Sequence, residues 1–254
     1  MQITAFERGL HDRVAIVTGA AVGNGRAFCE RLVQEGARLV IADVIDATDL
    51  AEALRAQGGT VVSVQADLLK PADAQRVADA AMEAFGRIDI LVHNVGYYHE
   101  EPFDLLNFDE WEQTINLTLH TLFHTIKVVL PHMKAAGFGR IISFSSDTVW
   151  LGSPYLTHYV TAKMGVIGLT RSLASEVGKY GITVNSISVG LTATQSARDG
   201  GVSSTMLEHI LPTQAVHRAD EPEDIANVVA FLALPASGII TGQTINVDGG
   251  VAKH

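Results

Sequence analysis

The sequence predicts a single α/β domain of the Rossmann type, a doubly wound sheet of about seven parallel strands with helices on both faces. Three observations predict it. Short apolar runs rich in β-branched residues recur along the whole chain, helix-period segments separate them, and a glycine-rich turn joins the first run to the first helical segment. Runs that are apolar throughout belong in a sheet buried on both faces, which is the parallel kind. The 254 residues suffice for one large domain. No repeat, low-complexity tract or linker divides them, so residues 1–254 are read as one unit.

The strand runs are Arg13–Thr18 (RVAIVT), Ala37–Asp43 (ARLVIAD), Thr60–Asp67 (TVVSVQAD), Ile88–Asn94 (IDILVHN), Arg140–Ser145 (RIISFS), Ile182–Ser188 (ITVNSIS) and Gln243–Val247 (QTINV). Helical periodicity marks Gly25–Glu35, Lys70–Phe85, Trp111–Ala136, Tyr155–Tyr180 and Glu221–Leu234, the fourth starting after Ser153-Pro154. Leu191–Gln214 has no clear pattern. It follows a strand's carboxyl end, where such sheets bind ligands, and is read as a lid over a pocket.

The first strand runs into TGAAVGNGRA, with Gly19, Gly23 and Gly25 spaced G-x-x-x-G-x-G. Such a turn lets the backbone approach a pyrophosphate at a helix N-terminus. The second strand ends at Asp43, whose carboxylate can accept from adenosine ribose hydroxyls and would repel the extra phosphate of NADP. No Lys or Arg lies within Gly19–Gly25 or just after Asp43 to receive that phosphate. The cofactor read from these residues is NAD.

Bulk properties narrow the partners. Hydrophobic residues make up 47% and charged residues 18%, and the formal net charge is −10. The negative charge argues against non-specific binding to nucleic acid or an anionic membrane. A single cysteine, Cys29, excludes an intrachain disulfide and a cysteine-based zinc site. The charged N-terminus lacks a signal-peptide core, and no apolar run would span a membrane. A soluble cytoplasmic protein is expected.

Residues 155–163 read YLTHYVTAK. Tyr159 and Lys163 are four apart and share a helix face, about 6 Å apart along the axis; Tyr155 is about 12 Å from the lysine. A nearby ammonium favours a phenolate, so Tyr159 is the candidate acid/base if either tyrosine is one. The spacing alone fits a packed tyrosine and a solvated lysine at least as well.

Other segments decide between those readings. TGAAVGNG, Asp67 in QADLL, His93–Gly96 (HNVG), Ser146 thirteen residues before Tyr159, VNSISVGLTAT and ITGQTINVDGG together resemble the short-chain dehydrogenase/reductase family over essentially the whole length. TxxWL before the tyrosine, YxTHY, and a C-terminus ending in a basic residue and histidine are similar to its NAD-dependent members acting on small apolar secondary alcohols such as 1-phenylethanol. The resemblance implies Tyr159 as general acid/base. It implies Lys163 as the group that depresses the phenol's pKa and binds the nicotinamide ribose, and Ser146 as the holder of the substrate oxygen. It assigns cofactor contacts to Gly19, Val22, Gly23, Asn24, Gly25, Asp43, Val44, Ala66, Asp67, Leu68, Asn94, Val95, Gly96, Gly190, Thr192 and Thr194, beside Tyr159 and Lys163. It also implies a homotetramer or homodimer.

The chain departs from the family in places. Counting from Trp111, and back from Phe123 and Met133, puts Thr118 where the family has a catalytic asparagine. Asn116 is two residues off and points roughly 200° away on a helix. The Thr118 hydroxyl is expected to bond a backbone carbonyl. Val189 replaces a proline, Asn24 an apolar residue, and His93 an asparagine. His120 and His124 are spaced i, i+4, without the carboxylate that would complete H-E-x-x-H, and are read as structural; no metal is expected. His158 is read as packing. Tyr97, Tyr98, Val149, Trp150, Tyr155, Leu191 and Met206 are expected to line the substrate pocket, with Tyr155 at its entrance or in the first turn of its helix. None is charged, which favours a small apolar alcohol or ketone, aryl or cyclic. Two alternatives stand beside this: a 3-oxoacyl-thioester reductase, and a non-catalytic dinucleotide-binding protein.

Overall fold

A computed structural model describes residues 9–194 and 211–253 of the chain. Seven parallel strands form one sheet in the order β3-β2-β1-β4-β5-β6-β7. They are β1 Val14–Thr18, β2 Arg38–Asp43, β3 Thr60–Gln65, β4 Ile90–His93, β5 Gly139–Ser146, β6 Ile182–Val189 and β7 Thr244–Val247. The strand order reverses between β1 and β4, which opens a crevice at the carboxyl ends. β1, β4 and β5 are buried at every residue, as apolar strands covered on both faces must be.

The helices are α1 Gly23–Gln34, α2 Thr48–Ala56, α3 Pro71–Phe85, α4 Phe108–Ile115, α5 Thr121–Ala136, α6 Thr148–Leu151, α7 Thr157–Val177 and α8 Pro222–Ala233. One core lies beneath α1 and α8, where Phe28 stacks on Phe144 with ring centroids 4.8 Å apart. The other lies beneath α3, α5 and α7, around Leu91, Leu122 and Met133. Local signals set the ends. Pro71 starts α3, and Gly86 ends it in the left-handed conformation at φ 72°. Asn107 caps α4 by accepting from the Glu110 N–H at 2.9 Å.

Three features differ from the sequence reading. Helices α2 and α6 were not among the expected elements; the buried face of α2 is only Leu50, Ala51 and Leu54, and α6 is a four-residue turn, both too short for a clear period. Tyr155 is not in the first turn of α7, which begins at Thr157. It sits before the helix with φ 63°, exposed, and its carbonyl accepts from the Glu101 N–H at 2.9 Å. The expected single helix from Trp111 to Ala136 is interrupted by a π-helical turn, Asn116–His120, of a kind that recurs at functional sites. Of the expected lid, residues 195–210, including Met206, lie outside the described residues. No helix among the described residues is long and apolar enough to cross a membrane.

Candidate active site

The glycine turn is built for close approach. Gly19 and Gly23 adopt φ 60° and 57°, and a Cβ at Gly25 would overlap the Gly19 carbonyl oxygen. Asn94, after β4, donates from Nδ2 to that same carbonyl at 3.0 Å. Across the crevice, a Cβ at Gly23 would meet Thr194 Cγ2 at 3.6 Å. The turn after β1 thus faces the segment after β6, where Gly190, Leu191 and Thr192 lie. Val22 and Val44 stand on the rim and are more than half exposed, at 53% and 62%. The Asn24 side-chain oxygen is buried without a partner.

At the end of β2, Asp43 accepts from the Ala21 N–H at 2.9 Å and from the Ile45 N–H at 3.2 Å. Its carboxylate is thereby fixed beside the glycine turn. Beyond β3, Ala66 and Leu68 are buried, and Asp67 accepts from the Leu69 N–H at 3.1 Å while pairing with Lys70 at 3.3 Å. Every described residue expected to contact the cofactor therefore lies at the carboxyl edge of the sheet or in the helix turns that follow it.

His93 shows what replaced the family's asparagine. Its Nδ1 lies 3.1 Å from Thr18 Oγ1, and its Nε2 lies 3.1 Å from Thr121 Oγ1. The Thr121 hydroxyl donates to the Leu117 carbonyl at 2.6 Å, so Nε2 carries the proton and Nδ1 accepts from Thr18. Burial, then the Lys163 charge, pushes the imidazole down to about 3, and it stays neutral. This chain ties β1 and β4 to the π-helical turn. Sequence reasoning missed the role because His93 and its partners are far apart along the chain.

That turn carries Thr118, which is buried at 1% exposure. Its hydroxyl has no hydrogen-bond partner, contrary to the expected bond to a carbonyl. Thr118 stands inside the π-helical turn, where the Thr121 N–H donates to the Asn116 carbonyl, five residues back. A Cβ at Gly96 would lie 3.2 Å from Lys163 Nζ and 4.0 Å from Thr118 Oγ1. The orphaned hydroxyl and the ammonium thus flank the same gap.

Lys163 is buried on α7. Its Nζ donates to the Phe144 carbonyl at 3.0 Å, and its own carbonyl accepts from Ser145 Oγ at 3.0 Å. The ammonium lies 5.5 Å from the Tyr159 ring centre. Burial lowers the lysine to about 8 and raises the Tyr159 phenol to about 12; Ser146 acts to lower the phenol and Asp147 to raise it. The spacing led to a depressed phenol; in the protein without a cofactor, burial sets the direction and the phenol is raised.

Ser146 ends β5. Its Oγ accepts from the Thr148 hydroxyl at 2.9 Å and N–H at 3.3 Å, and donates to Asp147 at 3.2 Å. Burial, with Asp248 adding repulsion, raises Asp147 to about 6. Around this centre, the Tyr98 ring meets Tyr159 edge-on at 5.2 Å, and its hydroxyl donates to Glu100. Tyr97 stacks on His99 at 6.3 Å, and Trp150 donates from its indole N–H to Ser188 at 3.2 Å, near the buried Val149. His124 bonds the Leu68 carbonyl at 2.9 Å. Val189 pairs in the ladder with Ser146 and Val247, so β6 continues through the position where the family has proline.

A family model described as enoyl-(acyl carrier protein) reductase matches residues 19–252. The (2S)-[(R)-hydroxy(phenyl)methyl]succinyl-CoA dehydrogenase subunit BbsD of Thauera aromatica is 38% identical, covering 95% of this chain and 97% of its own. A 3-oxoacyl-[acyl-carrier-protein] reductase of Synechocystis is 35% identical, covering 94% and 96%. Among solved structures, a short-chain dehydrogenase/reductase from Serratia marcescens superposes with a TM-score of 0.90 at 30% identity, covering 96% of this chain and 99% of that one.

Proposed function

The chain belongs to the short-chain dehydrogenase/reductase family of oxidoreductases, and from that premise we propose that it is an NAD-dependent dehydrogenase of a small apolar secondary alcohol, or reductase of the matching ketone. The observation that carries the reading is the buried grouping of Ser146, Tyr159 and Lys163 beside the gap at Gly96. NAD, when bound, supplies the hydride acceptor or donor. The glycine turn, the Asn24 oxygen and the gap between Thr118 and Lys163 fit such a dinucleotide, because each leaves room or an unpaired polar atom where one would lie.

In this reading Tyr159 takes the proton of the substrate hydroxyl in oxidation and returns it in reduction. Ser146, held by Thr148, turns its own proton from Asp147 to the substrate oxygen. Lys163, with its pKa brought near 8, offers a proton source close to working pH and a charge that favours the phenolate. Asp43 selects against a ribose phosphate. The rim tyrosines, Trp150 and Leu191 exclude water and receive an apolar group; the compound named for the Thauera relative carries a phenyl carbinol, there on a succinyl-CoA thioester. The Asp147 carboxylate opposes an anionic substrate.

An oligomer is part of the proposal. A mainly apolar groove on α5 and α7, where Phe123, Ile126, Leu130, Leu169 and Leu173 lie with Lys127, Ser172 and Glu176 among them, suits packing against a second copy. The experiment that tests the function follows NADH absorbance over a panel of aryl, cyclic and acyclic alcohols beside hydroxy acids and 3-hydroxyacyl thioesters. Aryl or cyclic alcohols should give the highest kcat/KM. The 3-oxoacyl-thioester reductase is the second reading, favoured by the Synechocystis relative, and thioesters leading the panel would establish it. No turnover with any substrate would favour a non-catalytic binder.

A further inference from the structure

We infer that His99, Glu101 and Glu110 form a site for a divalent cation of the Zn2+ type, with His158 as an additional nitrogen donor, clamping the loop after β4 to the starts of α4 and α7. The potential ligand atoms of the first three lie within 4.8 Å of one another. His99 Nε2 is 3.4 Å from Glu110 Oε1 and 3.7 Å from Glu101 Oε2. Two ligands bound to one tetrahedral Zn2+ at about 2.0–2.2 Å are about 3.4 Å apart. The His–Glu spacings match that; the wider limit asks for a small closure of the two carboxylates.

The second, independent observation is His158. Its side chain is fully buried, and neither ring nitrogen has a hydrogen-bond partner. The ring meets that of His99 at 6.4 Å and 63°, and the ionisable groups acting on it are His99, Glu110 and Glu101. The His99 backbone lies near it without reaching hydrogen-bond geometry. His99 Nε2 is likewise buried without a hydrogen bond, although two carboxylates face it. An imidazole nitrogen lone pair facing two carboxylates is repelled unless a proton or a metal ion lies between them. A proton on His99 would serve for that ring alone. A metal ion would also give His158 a partner.

The carboxylate side chains, 24% and 27% exposed, leave a path for the ion. The site adjoins the substrate side of the centre: Tyr98 touches Tyr159, Glu101 N–H holds the Tyr155 carbonyl, and His158 precedes Tyr159. The ion would therefore position the pocket wall, with no step of the hydride chemistry passing through it. The four donors come from three separate segments, so no sequence motif announces them. The inference stands whether or not the proposed substrate class is right.

The test uses the tag-free full-length chain, stripped with a chelator and titrated with ZnCl2 alone by calorimetry and with CoCl2 alone by visible absorbance. About one equivalent should bind per chain, with a cobalt d–d band and a rise in Tm with Zn2+. His99→Gln and Glu101→Gln should each weaken binding at least tenfold and abolish the Tm rise. A His120→Gln/His124→Gln double variant should bind like the parent. No saturable binding by the parent chain overturns the inference. So does parent-like binding in both His99→Gln and Glu101→Gln, or loss of binding in the His120/His124 variant.

Discussion

Lys163 donates to the Phe144 carbonyl at 3.0 Å, so the ammonium is anchored to β5 from α7, the helix that also carries Tyr159, and stands 5.5 Å from the centre of that ring. The bond fixes where the positive charge stands. Removing the charge removes both the bias toward phenolate and a buried proton source. Lys163→Ala and Tyr159→Phe should each lower kcat on the order of 10²–10⁴-fold, with circular dichroism unchanged. Tyr155, exposed and outside α7, should tolerate Phe with most activity kept. Equal damage from Tyr155→Phe and Tyr159→Phe in steady-state kinetics would overturn the assignment.

Asp43 has both carboxylate oxygens held by backbone N–H groups, so it cannot swing away from an added ribose phosphate without losing them. A phosphate about 4 Å away would be repelled by up to about 4 kcal/mol per charge pair at an effective dielectric of 20, before relaxation and screening. NAD should be preferred, and Asp43→Ala should narrow the kcat/KM ratio between the two cofactors. A native preference for NADP refutes this.

Thr118 leaves a buried hydroxyl without a partner beside the gap shared with Lys163. A longer amide at the same position can reach across it. Thr118→Asn should be tolerated and raise kcat, whereas Asn116→Ala should leave kcat within a small factor. Severe loss of kcat in Asn116→Ala, with NAD affinity normal, would transfer the role to Asn116.

Asp147 has its folded-state pKa raised to about 6, above the ordinary 3.8. The folded protein therefore binds this proton more tightly than the unfolded chain does. Its stabilising effect is fully present below about pH 4 and lost as pH rises through 6. Asp147→Asn should be more stable than the parent at pH 7–8, by on the order of 2 kcal/mol, and gain nothing near pH 4. Urea unfolding of both proteins at the two pH values checks the sign. The same variant should also use hydroxy acids better.

Trp150 is oriented by its bond to Ser188. If its ring receives an aryl group, Trp150→Ala should raise KM for aryl alcohols more than for short aliphatic ones, since buried apolar area is worth about 25 cal/mol per Å². Equal increases in KM for both classes would count against the pocket assignment.

The strand pattern was legible because the central runs that became β1, β4 and β5 are buried along their whole length, which suits a parallel sheet covered on both faces. The glycine spacing, Asp43, and the pairing of Tyr159 with Lys163 were legible too, since each depends on local backbone geometry or helix periodicity. By itself the sequence determined the fold and named the candidate groups that the fold brings to the carboxyl edge. Tertiary structure alone decided their state. Burial raises Tyr159 and lowers Lys163 in the protein without a cofactor, a direction that spacing alone does not give, because desolvation depends on what other segments cover. It also decided that His93 bridges Thr18 and Thr121, that Thr118 sits unpaired in a π-helical turn, and that His99, Glu101 and Glu110 converge with the buried His158 ring beside them. Those relationships join residues distant along the chain, and no local pattern encodes a contact that only packing creates.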